Sequence, residues 1–435
     1  MSKNKLLLSS LLIGGLVQAQ EFQPMGFDSM GMGGAGVANA KGSIAGYYNP
    51  ALLAKQRYDS EISLNLGIGL RENNLIDNMD QLGDEANDLS GTMDTLADNF
   101  EGPLNASTKS NITNIQTILG SIGEGNGVQI MPAGSFSVQA GSYNIGLYVT
   151  GSLDASMVVD PNKLDLIIKK DIAGTTLYSE YDLTNDTWST PTTDATEYEA
   201  RSLEYALDNN EIAVELSGLS LIEVPVSYAY TIPLGDSTID VGGSLKLMKG
   251  TTYNQLISPD EDTDDFDDKF EASEVETSTF GLDLGLLYSP TKTVDVGFVA
   301  KNLNSPEFDI YQSTEKVTID PMARIGMVYR PLGENVDIAF DYDLTKNDTT
   351  IEGIKSQYFG GGINFRPASW VSLRVGAMKN TAYDEEGDIF TAGVGFGLKW
   401  FQFDLSAQQS TDKGYYDGDE IPKYTKINFS LISRW

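Results

Sequence analysis

The side chains able to do acid–base chemistry in this chain are carboxylates, lysines and tyrosines, because its 435 residues include no histidine and no cysteine. That removes the commonest general base, the usual zinc ligand and every Ser-His or Cys-His nucleophile pair. It also removes disulfides and thiolate metal sites. No Ser-Lys or paired-carboxylate motif stands out, so no catalytic residue and no cofactor is assigned. The run Asp260 to Asp268, DEDTDDFDD, is dense enough in carboxylate to hold calcium. Asp265 nevertheless stands where a calcium loop wants glycine, which favours a solvated acidic loop, and no metal site is assigned. Gly31, Met32, Gly33, Gly34 and Gly36 bring the backbone into close quarters. A phosphate-binding loop would need a preceding strand and a following lysine, and neither is present. A backbone folded tightly in a narrow space is the other use of such a stretch.

Charge narrows the partners. A formal net charge of −33 opposes nucleic-acid binding, which needs a surplus of Lys and Arg. Residues 1–19 read as a cleaved signal peptide. Lys3 and Lys5 form a positive start, Leu6 to Val17 an apolar run, and Val17-Gln18-Ala19 a cleavage site before Gln20. No later segment is an apolar run of roughly 18 residues. A mature chain in a membrane must therefore cross it as a closed barrel.

Stretches of period-two alternation fit that requirement. Val336, Ile338, Phe340, Tyr342 and Leu344 share one face, and Asp337, Ala339, Asp341 and Asp343 the other. Phe390, Ala392, Val394, Phe396, Leu398 and Trp400 alternate with Thr391, Gly393, Gly395, Gly397 and Lys399. About fourteen such strands are predicted, near 61–70, 130–140, 143–152, 221–232, 238–250, 277–288, 293–302, 321–330, 335–345, 356–366, 370–379, 388–399, 401–409 and 424–435. A soluble β-sandwich would alternate too. The connections decide, since tight turns such as Gly141-Ser142 and Pro331-Leu332-Gly333 take turns with long polar segments at 71–129, 153–220, 251–276, 303–320, 346–355, 380–387 and 410–423. Barrels of the outer membrane have short periplasmic turns and long extracellular loops. The expectation is an all-β, transmembrane antiparallel barrel in a Gram-negative outer membrane, contacting lipid, with residues 60–435 as barrel and 20–59 as an N-terminal plug. The first long loop, Glu72 to Leu119, is helical in flavour, with Leu75, Met79, Leu82, Ala86 and Leu89 at helical spacing and a break at Gly102-Pro103. Ile427, Phe429, Leu431 and the final Trp435 share a face. Such an ending resembles the signal read by the barrel assembly machinery.

Gly-Met-Gly-Gly-Ala-Gly-Val-Ala at 31–38, followed by Tyr48-Asn49-Pro50-Ala51, resembles the start of the FadL-type family of outer-membrane transporters. The resemblance implies a fourteen-stranded barrel plugged by an N-terminal hatch, and uptake of hydrophobic molecules such as fatty acids and aromatic hydrocarbons. It makes Gly31, Met32, Gly33, Gly34, Gly36, Tyr47, Tyr48, Asn49 and Pro50 the hatch and ligand residues. It also implies a kink and a lateral opening in strand three, near Tyr143 to Ser152, where Gly146 and Gly151 stand. GLSLIEVPVSYAY at 218–230, VGGSLKLMKG at 241–250, DYDLTKN at 341–347 and FTAGVGFG at 390–397 are more similar to a branch of FadL-like barrels labelled conjugal transfer protein TraF.

If the apolar face meets lipid, Asp240, Lys246, Asp283, Asp295, Lys301, Arg324, Arg330, Asp337, Asp341, Asp343, Arg366, Arg374 and Asp404 point into the lumen. Two readings follow. They line a polar path or cavity, or they are ion pairs holding the plug, since unpaired charge in a crowded lumen is costly. An apolar pocket must then come from the hatch (Phe22, Met25, Phe27, Met30, Met32, Tyr47, Tyr48) or from the loops. The leading expectation is a FadL-like channel for small hydrophobic or amphipathic molecules. The alternative is a TraF-like structural or conjugation-associated protein acting through surface-loop partners.

Overall fold

The structure is a computed structural model and describes residues 21–435 except 57, 97–99, 101, 124, 258–271, 352, 399, 417 and 418. Residues 1–19, expected to be a signal peptide, and the acidic run 260–268 lie outside the described residues. Among those described, fourteen antiparallel strands close a barrel in chain order. They are β1 Ser60–Asn73, β2 Gly127–Ala140, β3 Tyr143–Val159, β4 Ile212–Leu234, β5 Ser237–Ile257, β6 Val275–Ser289 and β7 Val294–Lys301. There follow β8 Met322–Tyr329, β9 Val336–Asp343, β10 Tyr358–Ala368, β11 Val371–Asn380, β12 Asp388–Leu398, β13 Phe401–Ser410 and β14 Tyr424–Arg434. The first and last strands close the circle from Glu61↔Arg434 to Arg71↔Tyr424. Ser60 and Trp435 add a reciprocal pair of backbone bonds of 3.1 Å.

Alternation becomes two surfaces. Leu245, Leu247, Phe280, Leu284, Phe390 and Phe403 are exposed on the outside, while Asp240, Lys246, Asp283, Asp337 and Asp404 are buried within. An apolar exterior suits hydrocarbon, and closure leaves no unpaired sheet edge there. No helix among the described residues is long and apolar enough to cross a membrane. The crossing is made by strands.

Six strands, β1 to β6, exceed the expectation of about ten residues, and two of them do so most. β4 has 23 and β5 has 21, which at roughly 3.3 Å per residue exceeds the ~30 Å hydrocarbon core about twofold. Their ladder continues from Leu221↔Gly250 to Val214↔Ile257. The alternation fades there because Leu219 and Leu221 pack against Phe308, Ile310, Val317 and Ile319 of the 302–321 connection. Period two reports the lipid contact, and the ladder outlasts the lipid.

The two longest connections fold together into a cap over the long-loop end. Helices Leu75–Leu96 and Ala106–Ser121 occupy the first, in accord with its helical spacing, and Asn105 caps the second by accepting from Thr108 N at 2.9 Å. The second connection, expected only as a polar loop, builds a small sheet from Ile167–Ile172, Thr175–Asp182 and Thr187–Trp188, then helices Thr196–Arg201 and Leu203–Asp208. Phe100, Leu104 and Ile112 pack with Leu166, Ile168 and Tyr181. Leu75 and Leu119 pack with Met157, Leu203, Ala206 and Ile212. The cap thus has apolar cores of its own, built from residues that sequence spacing alone leaves in separate loops.

Burial lifts the Glu204 carboxyl in this cap to about 7 from its ordinary 4.5, against the pull of the Lys169 N–H that it accepts at 3.0 Å. The folded value lies above the unfolded one. The protonated form therefore supports the cap below about pH 4.5, and that support is lost as pH rises through 7. Glu204→Gln is expected to leave cap stability unchanged at pH 4 and raise it at pH 8. Hydrogen exchange of the 160–211 segment, corrected for intrinsic rates, is the measurement. Equal protection of both proteins at pH 8 would contradict it.

Candidate functional site: the hatch in the lumen

Residues 21–56 run inside the barrel, and nearly all of them are buried. The chain turns there on short elements, the helices Phe27–Met30 and Ala45–Tyr48 and the 3-10 turns Gly42–Ile44 and Pro50–Lys55. Two of the hatch glycines explain the tight fit. Gly33 has φ +66, and a Cβ there would run into the Ala377 carbonyl and lie 2.7 Å from Gly361 N. A Cβ on Gly36 would enter the Tyr48 ring and stand 2.6 Å from Ser29 Oγ.

The barrel wall answers with glycines of its own. Gly360 of β10 meets the Gly33 carbonyl, and a Cβ on Gly362 or Gly376 would lie 2.7 Å from the Met32–Gly33 backbone. Gly297 faces the Val37 carbonyl, Gly285 faces Asn49, and Gly242 faces Pro50 and Ala51. Gly393 approaches Gly31. Backbone therefore lies on backbone over much of the circumference. The sequence singles out the hatch glycines by their density. Their barrel partners look like ordinary strand glycines until the hatch is set against them.

Polar contacts then fix the hatch. Asp341 Oδ2 accepts from Gly36 N at 2.7 Å and from Val37 N at 2.9 Å. Thr391 Oγ1 accepts from Gly33 N at 2.9 Å. Asn49 Nδ2 donates to Val37 O at 2.9 Å and to Leu286 O on β6 at 3.1 Å, and its Oδ1 caps the following turn at Ala51 N. Tyr48 OH donates to Met25 O at 2.8 Å and accepts from Met25 N. Tyr47 OH donates to Gln23 O at 2.9 Å.

All of the lumen charges named from sequence point inward or line the short-turn mouth, and most are paired. Arg374 is wholly buried against Asp404, 2.8 Å from its Oδ1, and donates to Phe27 O of the hatch. Arg324 pairs with Asp343, and Arg366 with Asp337. Hatch cations complete the set, with Lys41 on Asp337 and Lys55 3.0 Å from Asp295. Further partners escaped the sequence reading: Asp28 beside Arg374, Glu223 beside Lys246 at 2.8 Å, Glu61 beside Arg434, and Arg71 held by Glu21 and Glu386. Lys41 and Lys55 were the available signal, being cations in the segment that must face inward acids.

Below the hatch, a cavity of about 1110 Å³ opens among the short turns, lined by Lys41, Lys55, Arg330, Arg366, Arg434, Phe27, Leu52 and Trp370. Two voids above it measure about 10 and 30 Å³, room for single waters. Beside the second, Phe22, Tyr47, Tyr48 and Tyr148 form an aromatic cluster, with Phe22–Tyr47 centroids 5.3 Å apart and Tyr47–Tyr148 5.1 Å.

Tyr148 belongs to β3, and here the wall is irregular. Pairing with β2 stops at Ala133↔Thr150 and resumes at Ile130↔Leu153. Met131 and Pro132 lie across that break from Gly151 and Ser152. Pairing with β4 breaks between Ile145↔Val226 and Tyr148↔Glu223, beside Gly146 and Pro225. Proline has no N–H to give a ladder. The Gly151 carbonyl accepts instead from Gln23 Nε2 of the hatch at 3.0 Å. The outward residues around these breaks, Ile145, Leu147 and Val149, are exposed and apolar, so both breaks lie at lipid depth.

A family model described as "F plasmid transfer operon, TraF, protein" matches residues 46–343. The fold is similar to that of the TodX deltaS2S3 mutant monoaromatic hydrocarbon channel, at 9% identity and TM-score 0.48 over 95% of this chain and 100% of that one. It is also similar to the Pseudomonas putida toluene transporter TodX (11% identity, TM-score 0.47, 96% and 98%) and to a Pseudomonas aeruginosa FadL homologue (12%, 0.44, 96% and 99%). The comparison with curated proteins found no match.

Proposed function

The chain belongs to the F plasmid transfer operon TraF protein family, and on that premise we propose that it is an outer-membrane channel for uptake of small hydrophobic or amphipathic molecules. A family label does not set a function, and the support comes from the lumen. The observation that carries the reading is the aromatic cluster of Phe22, Tyr47, Tyr48 and Tyr148 set directly behind the two ladder breaks of β3. An apolar solute entering from the capped, extracellular end finds aromatic surface beside the charges of Glu223, Lys246 and Lys301. It leaves sideways between β2 and β3, past Gly151, without crossing the ion pairs below. Gln23 of the hatch donates to the Gly151 carbonyl beside the break, which ties movement of the hatch to opening of the wall in this reading.

The test uses the absence of cysteine. Ile130 and Leu153 are registered partners beside the break, close enough for a disulfide. The Ile130→Cys/Leu153→Cys pair is expected to slow uptake of 1-N-phenylnaphthylamine by cells several-fold when oxidised and to restore it on reduction. Cells expressing the unaltered protein that take up the probe no faster than empty cells would sink the reading. A second reading, a structural or conjugation-associated role, is favoured by the separately cored cap. It requires that removal of the cap abolish partner binding.

A further inference from the structure

The connection from β9 to β10 does not stay outside the barrel. Asn347 and Asp348 pair with Ser356 and Lys355. The tip beyond them turns into the mouth, where Thr349, Thr350, Ile351 and Ile354 are all buried. The tip pairs its own polar groups. Thr349 N donates to Ile354 O at 3.1 Å, Ile354 N to Ile351 O at 3.2 Å, and Thr349 Oγ1 to Ile354 O at 2.9 Å. A loop paired within itself can move as a unit without stranding those groups. Among the described residues, its polar tie to the wall is Thr350. Thr350 Oγ1 accepts from Gln129 Nε2 of β2 at 2.7 Å and stands 2.7 Å from Ser152 Oγ of β3. Ser152 Oγ donates to Asp154 Oδ2 at 2.7 Å and accepts from Gln129 Nε2 at 2.8 Å. With its one proton on that carboxylate, Ser152 takes the Thr350 proton. Arg71 Nη1 donates to Gln129 Oε1, which fixes the amide with its N–H groups toward the two hydroxyls. Gln129 and Ser152 flank the break between β2 and β3. One threonine thus bridges that seam from inside. Beside it Ile351 packs over Gly127, where a Cβ would lie 3.1 Å from Ile351 Cδ1.

We propose that the 349–354 tip is a gate at the extracellular mouth, closed in this structure, and that Thr350 is its latch. The inference rests on the uptake reading above and adds the place where entry is controlled. The voids of about 10 and 30 Å³ between the tip and the hatch hold water but no aromatic solute. A solute therefore reaches Tyr148 when the tip lifts. Lifting breaks the Thr350 bonds and exposes Ile351 and Ile354 to water, which favours the closed state. An apolar solute that covers the wall in place of those two side chains favours the open one, and that difference is what lets a solute work the gate.

Two changes in the full chain test the gate. Replacing residues 349–354 by Asn-Gly keeps the Asn347–Ser356 ladder and closes it with a two-residue turn. Thr150→Cys, the next inward position below Ser152 on β3, reports access to the lumen. In cells, a membrane-impermeant methanethiosulfonate added outside should label Thr150→Cys several-fold faster without the tip than with it. Labelling at the same rate in both overturns the proposal. The second change locks the tip. The Thr350 and Ser152 hydroxyls are close enough for the Thr350→Cys/Ser152→Cys pair to form a disulfide. Oxidised, it should cut uptake of 1-N-phenylnaphthylamine several-fold, and reduction should restore it. Undiminished uptake with the disulfide formed overturns the proposal. If the shortened protein does not reach the folded, heat-modifiable form, the locked pair decides. The two readings fail separately. Unaltered protein that takes up the probe no faster than empty cells counts against the channel, whereas labelling of Thr150→Cys needs no transport and judges the gate alone.

Discussion

Asp341→Ala is expected to release the hatch while leaving the barrel closed. The carboxylate accepts from Gly36 N and Val37 N at 2.7 and 2.9 Å, and hydrogen bonds to a charged group contribute roughly 1.5–3 kcal/mol each. Their removal also strands two buried N–H groups between Gly297 and Gly326, where the fit to Val37 leaves little room for water. The loss is then roughly 3–6 kcal/mol from a segment whose apolar residues pack in one cluster with the barrel wall. The barrel does not depend on this residue, since the β9 backbone pairs with β8 and β10 irrespective of the side chain. Trypsin reports the release directly, because Lys41 and Lys55 sit in the hatch facing the cavity at the short-turn end. The unaltered protein should resist cleavage after both. Asp341→Ala should be cut at both and conduct ions in planar bilayers at levels the unaltered protein does not reach. Asp341→Asn retains an acceptor oxygen and should fall between. Full resistance of Asp341→Ala would mean that the glycine contacts hold the hatch alone.

What was legible in the sequence follows from which physics is local. Alternation at Val336 to Leu344 and at Phe390 to Trp400 is set by the two media on either side of a strand, so strand count, facing and the inward charges could be read without coordinates. The overlong β4 and β5 could not, because beyond the lipid Leu219 and Leu221 meet Phe308 and Ile310 and the period loses its cause. The hatch glycines announced themselves by density, and the helical first loop by spacing. Partnerships were hidden, because they join residues hundreds of positions apart. Asp341 meets Gly36, Gly360 meets Gly33, and Gln23 meets Gly151. The breaks at Pro132 and Pro225 were written in the sequence as prolines inside strands, a local signal that could have been used. The contact of Glu21 with Arg71 carries no such mark, since it joins the start of the hatch to the far end of β1.

Arg374 gives the second large effect, and it shows how the wall's glycines and charges depend on one another. The pair with Asp404 joins β11 to β13 across β12, and it can do so because the intervening strand carries glycine there. A Cβ on Gly395 would lie 2.8 Å from Arg374 Nη2, and a Cβ on Gly393 3.5 Å from Arg374 Cβ. Both partners are shielded from solvent. Removing one side of such a pair leaves an uncompensated buried charge, which costs about 3–5 kcal/mol. Arg374→Met should therefore lower the temperature at which the folded band shifts in heat-modifiability gels by many degrees, and loosen the Phe27 turn whose carbonyl Arg374 holds. Replacing both partners leaves no charge stranded on Asp404, and Asp28, 4.0 Å from Arg374, keeps Lys41 as counter-ion; a well-packed apolar pair can substitute for a buried ion pair at little cost. Arg374→Met/Asp404→Leu should thus regain most of the barrel's thermal resistance without restoring the Phe27 contact, leaving the hatch more open to trypsin than in the unaltered protein. A double variant as unstable as Arg374→Met would show that the hydrogen bond to the hatch, rather than charge compensation across β12, is what the arginine supplies.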